Sequence, residues 1–106
     1  MDRGEYLRCL FEAYRATPGT CGVVRRPDRV TAAQLYERGV PLAVVENALA
    51  LAAVRRMMRP RGASPLPAVR SLAYFLPVID EVLATDVDPH YYQHVRNKLQ
   101  RLAPAR

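Results

Sequence analysis

Several residue types that commonly build protein cores or covalent frameworks are scarce in this chain. Its 106 residues include no tryptophan, two phenylalanines and two cysteines. Cys9 and Cys21 are too few for a disulfide framework, and their spacing matches no common zinc-binding pattern. Unpaired cysteines of this kind favour a reducing, cytoplasmic location. The core must therefore be built mainly from leucine, valine, alanine and tyrosine.

Long hydrophobic segments and catalytic motifs are also missing from the sequence. The longest apolar stretch, Ala48–Val54, is far shorter than the roughly 20 residues that a membrane-spanning helix requires. Residues 1–4 carry charges of both signs and no hydrophobic segment follows them, so we expect no signal peptide. There is no glycine-rich phosphate loop, and Ser64 and Ser71 have no neighbouring base. We therefore predict a protein without catalytic activity, cofactor, bound metal, small-molecule substrate or membrane partner.

Hydrophobic residues recur at helical spacing along most of the chain, which predicts an all-α fold. Proline and glycine divide the pattern into a compact bundle of about five helices: 2–16, about 28–38, about 41–58, a fourth that Pro77 kinks or splits, and a last one from Pro89 to about Leu102. The loop 60–67 should be exposed and the tail 103–106 should fray. Because a chain of this length has room for one core, we expect residues 1–106 to form a single domain.

The same periodicity predicts which side chains face the core. They are Tyr6, Leu7, Leu10, Phe11 and Tyr14 in the first helix, Val30, Ala33, Leu35 and Tyr36 in the second, Leu42, Val45, Leu49 and Ala52 in the third, Val69, Leu72, Ala73, Leu76, Ile79 and Leu83 in the fourth, and Tyr92, Val95, Leu99 and Leu102 in the last.

A tight connection, Arg38–Pro41, joins the second and third helices and gives them a helix-turn-helix-like arrangement. Gly39 and Val45 fit that motif, whereas Leu35 occupies a position where a small residue is usual. At the start of the third helix, Asn47 is the residue suited to reading base edges. We therefore favour a plain connection between two packed helices over sequence-specific groove reading.

Positive charge is concentrated in the second half of the chain. Arginine supplies fifteen of the sixteen cationic residues, and the formal net charge is +6. Residues 1–54 contain seven arginines and six acids, a net charge of +1, whereas residues 55–106 contain nine cations and four acids, a net charge of +5. Positive charge of this kind raises the affinity of a protein for polyanions such as nucleic acids.

Four arginines cluster within seven residues, at the end of the third helix and in the loop beyond it: Arg55, Arg56, Arg59 and Arg61. Favourable interaction with a helix C-terminus explains one arginine there. Four, with no acid nearby in the sequence, predict contacts with phosphate groups. The cations that would extend this patch are Arg70 in the following helix and Arg96, Lys98 and Arg101 in the last helix. These eight residues form the predicted nucleic-acid-binding site, with DNA favoured over RNA.

Histidine and tyrosine side chains gather at the start of the last helix. His90 and His94 are four residues apart and share a helical face, which is a spacing that suits a metal ion. Asp86 and Asp88 are near in sequence but precede the helix, and no third ligand is evident, so we favour an exposed histidine pair. Tyr91 is placed to stack on a base, although one of Tyr91 and Tyr92 should belong to the core because their directions differ by about 100°.

A wider pattern consists of a helix that ends at glycine, a second helix, a loop and an aromatic segment: Leu35–Pro41, Val44–Leu49 and Val69–Ile79. This layout resembles the helical C-terminal domain of DnaD-like replisome-organiser and primosomal proteins. In that family a tyrosine is followed by an aliphatic residue four positions later and a tryptophan eight positions later. Tyr74 and Val78 occupy the first two places here, and Val82 stands in the third. The resemblance implies a role in loading the replication machinery or in the maintenance of a mobile element.

Two functional hypotheses follow from the sequence. The first is a nucleic-acid-binding accessory module that contacts the phosphate backbone through the arginine patch. The second is a protein-interaction adaptor, or a small subunit of a larger complex, which would dock its apolar Tyr6–Tyr14 stripe onto a partner and direct its arginines at an acidic surface. A toxin-like or antitoxin-like regulator is a third option that no motif supports. The first two hypotheses depend on the same charge pattern, so the sequence does not separate them.

Overall fold

Five α-helices make up the bundle in this computed structural model, which describes residues 1–60, 62–85 and 87–102. The helices are α1 (Arg3–Ala16), α2 (Arg26–Glu37), α3 (Leu42–Met57), α4 (Leu76–Ala84) and α5 (Pro89–Leu102), and a 3-10 helix, Leu72–Phe75, directly precedes α4. The predicted all-helical bundle is confirmed. The tail 103–106, which we expected to fray, lies outside the described residues, as do Arg61 and Asp86.

The third helix, α3, is the centre of the bundle. It packs against α1, α4 and α5, and every residue of Ala48–Val54 is buried. The sequence predicted a buried stripe on one face, but a helix that is apolar all round is stable only when neighbours cover all of it. Its alanines also allow the surrounding helices to approach closely. The buried side chains of the described residues form one continuous core around it.

Helices α1 and α2 lie antiparallel beside each other. The rings of Tyr6 and Tyr36, at the start of α1 and the end of α2, are 5.2 Å apart, and Arg29 near the start of α2 lies over the ring of Phe11, 5.6 Å from its centroid. The Tyr6 hydroxyl donates a hydrogen bond of 2.8 Å to the carbonyl oxygen of Val40, just beyond α2. The stripe predicted on α1 therefore packs inside the protein's own core.

A buried carboxylate, Asp28, sets the inward face of α2. One carboxylate oxygen accepts a 2.9 Å hydrogen bond from the backbone N–H of Arg25, and the other accepts a 2.8 Å bond from the backbone N–H of Leu72. With Asp28 turned inward, Ala32 and Leu35 follow it on the same helical face and are buried. Val30 points away and is 52% exposed, so the prediction that it faces the core is wrong.

Pro77 splits the predicted fourth helix. It occupies the first turn of α4, where a missing N–H costs nothing, so a new helix begins there. Upstream, Val69 is not helical and forms a parallel bridge with Thr20, in which its N–H and C=O bond to Gly19 and Cys21 at 2.8 Å each. Restarting the helix also changes its inward face. Phe75 and Val82 are buried, whereas Ala73 and Leu83 are exposed, so the prediction that these two face the core is wrong.

The connection between α2 and α3 is as tight as predicted. Gly39 adopts a positive φ of 73°, which glycine tolerates best. The backbone N–H of Gly39 bonds to the carbonyl of Tyr36, and that of Val40 bonds to the carbonyl of Leu35, which closes the C-terminus of α2. The last helix, α5, has Tyr92 and Val95 buried as expected. Leu102, at the last described position, is 42% exposed, so the prediction that it faces the core is wrong.

Candidate nucleic-acid interface

The position of α3 bears on both interpretations of the helix-turn-helix-like pair. A recognition helix must present one side to the DNA major groove. Residues Ala48–Val54 of α3 are buried against the neighbouring helices, and Ala43 and Glu46 in its first turns are exposed. Asn47, the expected base-reading residue, is half-buried and its side-chain oxygen accepts a hydrogen bond from Arg96 on α5. The turn joins α2 to α3, but α2 packs against α1 and the 3-10 helix and not against α3. The packed helix pair expected from the sequence is therefore not formed, and the second half of α3 serves the core.

Arg55, in the last turn of α3, has an acidic partner that the sequence did not reveal. The fold brings Glu81 of α4 opposite it, and the two guanidinium nitrogens donate to the two carboxylate oxygens at 2.8 and 2.5 Å. These hydrogen bonds raise the pKa of the Arg55 guanidinium and hold the pKa of Glu81 below its usual value. Both side chains stay about half exposed, so an incoming phosphate would compete with Glu81 for Arg55.

Arg56 and Arg59 hold the following loop against the end of α3. Arg56 donates to the carbonyl oxygen of Pro67 at 2.8 Å and to the hydroxyl of Tyr74 at 3.2 Å, and its guanidinium lies 5.5 Å from the centroid of the Tyr74 ring. Arg59 donates to the carbonyl oxygen of Ser64. Residues 62–68 of this loop are exposed, as predicted. Two arginines of the predicted patch thus have a structural role in addition to any role in binding.

An open cleft of about 370 Å³ lies beside these arginines. It is lined by Ala52, Arg55, Arg56, Arg59, Leu66, Tyr74 and Val78. Tyr74 is 48% exposed and Leu66 is 43% exposed. Guanidinium groups around an apolar floor with an accessible aromatic ring suit an anionic ligand that also carries a flat or apolar part.

The remaining predicted cations do not all join this cleft. Tyr92, near the start of α5, lies close to Arg55, and Arg96, one turn later, bonds to Asn47. The helix α5 therefore runs away from the cleft, and Lys98 and Arg101 lie still further along it. Arg61 lies outside the described residues. Arg70 is exposed and lies on the short segment between the cleft and the N-terminus of α2.

Three exposed arginines at the start of α2 add to the positive charge of the surface and were not predicted from the sequence as binding residues. Arg25, Arg26 and Arg29 are all exposed, while the single acid among them, Asp28, is buried. The signal was present as three arginines within five residues. It was hidden because the six acids of residues 1–54 reduce the net charge of that half to +1.

The histidine pair on α5 is exposed. Within the described residues, no three histidine, cysteine, aspartate or glutamate side chains come together in a way that would hold a metal ion. Tyr91 is 46% exposed and Tyr92 is buried, so one tyrosine of the pair belongs to the core as predicted. No helix in the described part of the chain is long and apolar enough to cross a membrane.

Comparisons with known proteins give no relative for this chain: no family model, curated protein or solved structure matches it.

Proposed function

We propose that this protein is a non-enzymatic nucleic-acid-binding accessory module that contacts the phosphate backbone through clustered arginines. The observation that carries the proposal is the cleft at the end of α3, where Arg55, Arg56 and Arg59 surround an exposed Tyr74. Guanidinium groups bind phosphate through paired N–H donors, and an aromatic ring beside them offers a stacking surface to a base. The burial of Ala48–Val54 in α3 and the hydrogen bond that holds Asn47 to Arg96 favour backbone contact over base reading.

The biological setting of the proposal comes from the resemblance to DnaD-like replication proteins. On that basis the module would act in the cytoplasm, in DNA replication or in the maintenance of a mobile element, with DNA favoured over RNA. Tyr74 is exposed as a ligand-contacting tyrosine would be, whereas Val82, in the position of the family's tryptophan, is buried. At position 82 this chain therefore has no aromatic side chain that could contact a ligand.

A protein partner is the second candidate, and one observation favours it. The Tyr6–Tyr14 stripe first assigned to such a partner is used inside the core. Leu66 and Tyr74 are nevertheless exposed in the cleft, and tyrosine and arginine are enriched at protein interfaces. An adaptor would therefore use the cleft and not α1.

Titration of fluorescent single- and double-stranded oligonucleotides at two salt concentrations tests the proposed function. If four to six cations each neutralise one phosphate, a plot of log affinity against log salt has a slope of about −3 to −5. Absence of salt-sensitive binding at micromolar protein in low salt would overturn nucleic-acid binding. Saturable binding to an acidic protein in its place would favour the adaptor.

A matched pair of substitutions tests the cleft itself. Glu81→Gln removes the competitor of Arg55 and raises the net charge by one. Glu46→Gln raises the net charge equally, at an exposed glutamate of α3 that forms no ion pair among the described residues. We expect E81Q to tighten binding more than E46Q and to steepen the salt slope by about one, because one further phosphate is neutralised. Equal effects of the two variants would exclude Arg55 from the contact.

A further inference from the structure

A second group of arginines lies at the N-terminus of α2. These arginines differ from those of the cleft in whether their side chains are hydrogen-bonded within the protein. Arg25, Arg26 and Arg70 are exposed. Their side chains form no hydrogen bond or ion pair with any described residue, whereas Arg55, Arg56 and Arg59 are each bonded within the protein. We name Arg25, Arg26 and Arg70 the α2 basic face.

Asp28 holds the two chain segments of this face together, with its carboxylate turned away from solvent. Its two carboxylate oxygens accept the backbone N–H groups of Arg25 and Leu72, so the chain around Arg70 is held against the start of α2. The carboxylate is 2% exposed and both of its oxygens are occupied. The face therefore directs guanidinium groups towards solvent, while the buried carboxylate offsets the positive end of the α2 dipole from inside.

The α2 basic face is continuous with the cleft. Arg56 bonds to the carbonyl of Pro67, and Leu72 bonds to Asp28, with Arg70 between these two anchors. The five residue steps from Pro67 to Leu72 span at most about 18 Å even when fully extended. Since double-stranded DNA carries one negative charge per roughly 1.7 Å of axis, one short segment of nucleic acid spans both groups of arginines.

We propose that the phosphate-contacting surface runs from the cleft along residues 67–72 to the start of α2, and that Arg25, Arg26 and Arg70 neutralise more phosphates than the arginines of the cleft do. This inference rests on the proposed function. Its partner is the phosphate backbone of a nucleic acid, because the face offers three guanidinium groups without partners among the described residues, and guanidinium groups bind phosphate through paired N–H donors. Phosphate contacts need neither a groove-reading helix nor base-specific side chains.

Two triple variants of equal charge test the inference. The first, Arg25→Ser with Arg26→Gln and Arg70→Gln, removes the α2 basic face. Serine is a favoured N-cap residue, so this change protects the start of α2. The charge-matched control, Arg3→Gln with Arg8→Gln and Arg38→Gln, removes the same formal charge from exposed positions away from the start of α2. Arg8 and Arg38 are ion-paired with Glu12 and Asp80 at the surface. Circular dichroism and urea unfolding compare the fold of both variants with the unsubstituted protein.

We expect the α2-face variant to reduce the magnitude of the salt slope by about three and the control to reduce it by less than one. If oligonucleotides bind the unsubstituted protein and both variants show the same slope, this inference fails while the proposed function stands. If the unsubstituted protein does not bind, both fail. Should the triple variant not fold, Arg26→Gln with Arg70→Gln leaves the helix cap intact and is expected to reduce the slope by about two, against Arg3→Gln with Arg38→Gln as its control. Equal slopes in that pair overturn the inference as well.

Discussion

Two tyrosines on α1 offer a test of how far hydrogen bonding stabilises this core. Tyr6 and Tyr14 are both buried, at 5% and 0% exposure. The Tyr6 hydroxyl donates to the carbonyl of Val40 at 2.8 Å, whereas the Tyr14 hydroxyl is buried without a hydrogen-bond partner. Burial raises the pKa of Tyr14 to about 12, and the Cys21 thiol is a near neighbour of its hydroxyl. Replacing each tyrosine by phenylalanine removes one oxygen atom from an otherwise unchanged side chain.

The two substitutions should change stability in opposite directions. Tyr6→Phe removes a hydrogen bond and leaves a buried carbonyl oxygen unsatisfied, which costs about 1 kcal/mol. Tyr14→Phe removes a buried hydroxyl whose desolvation is uncompensated, a penalty of about 1–3 kcal/mol, and leaves a very small void. We therefore expect Y14F to be more stable than the unsubstituted protein by about 1 kcal/mol, and more stable than Y6F by about 2 kcal/mol.

Urea unfolding followed by circular dichroism measures both free energies, with equal m-values as the condition for comparing midpoints. For a domain of this size, 1 kcal/mol corresponds to a shift in Tm of about 4–8 °C. If Y14F is destabilised as much as Y6F, the Tyr14 hydroxyl has an effective partner in solution and the argument fails. Cys21→Ala then identifies that partner, because Tyr14→Phe would no longer destabilise the protein in the Cys21→Ala background.

Two further predictions concern ionisable groups in the core. Because the pKa of Tyr14 is about 12 when folded, against 10.0 ordinarily, the unfolded chain loses this proton first as the pH rises. Stability should accordingly be unaffected below about pH 10 and fall between about pH 10 and 12, more steeply than in Y14F, as measured by urea midpoints across that range. Asp28→Ala leaves the N–H groups of Arg25 and Leu72 without an acceptor and should cost about 2–4 kcal/mol. Asp80→Ala, at an exposed ion pair, should cost less than about 1 kcal/mol, and equal losses in the two urea titrations would contradict the structural role of Asp28.

The helix boundaries were predictable because their signals are local. Proline and glycine act on their own backbone and on adjacent residues, so α1, α3 and α5 begin and end within about one residue of the predicted positions. Pro77 divided the fourth segment for the same reason. The inward faces were less predictable, since the rotation of a helix is decided by what it packs against. Val30 is exposed because Asp28 turns inward to meet Leu72, which lies 44 residues away in the chain.

In the candidate site, too, the features set by neighbouring residues were predictable and the contacts between distant residues were not. The cluster Arg55–Arg61 was visible as a run of charge, but its partners were not. Glu81 lies 26 residues from Arg55, and no sequence pattern pairs them. The arginines of α2 were obscured by averaging charge over half of the chain, although the fold buries the acid that compensated them. The net charge of a long segment therefore locates a basic surface less well than the number of exposed cations whose neighbouring acids are buried.

The proposed binding surface has two parts with different physical roles, because the arginines of the cleft are hydrogen-bonded within the protein, whereas those of the α2 basic face bond to no described residue. An arginine already bonded to the backbone, as Arg56 is to Pro67, keeps unused N–H donors because a guanidinium carries five. It loses little further side-chain entropy when it meets a phosphate, so it contributes mainly position. A free arginine such as Arg26 contributes its full charge but must be ordered on binding. Since counterion release follows the number of phosphates neutralised, the salt slope should depend mainly on the α2 basic face, and the orientation of the bound strand on the cleft.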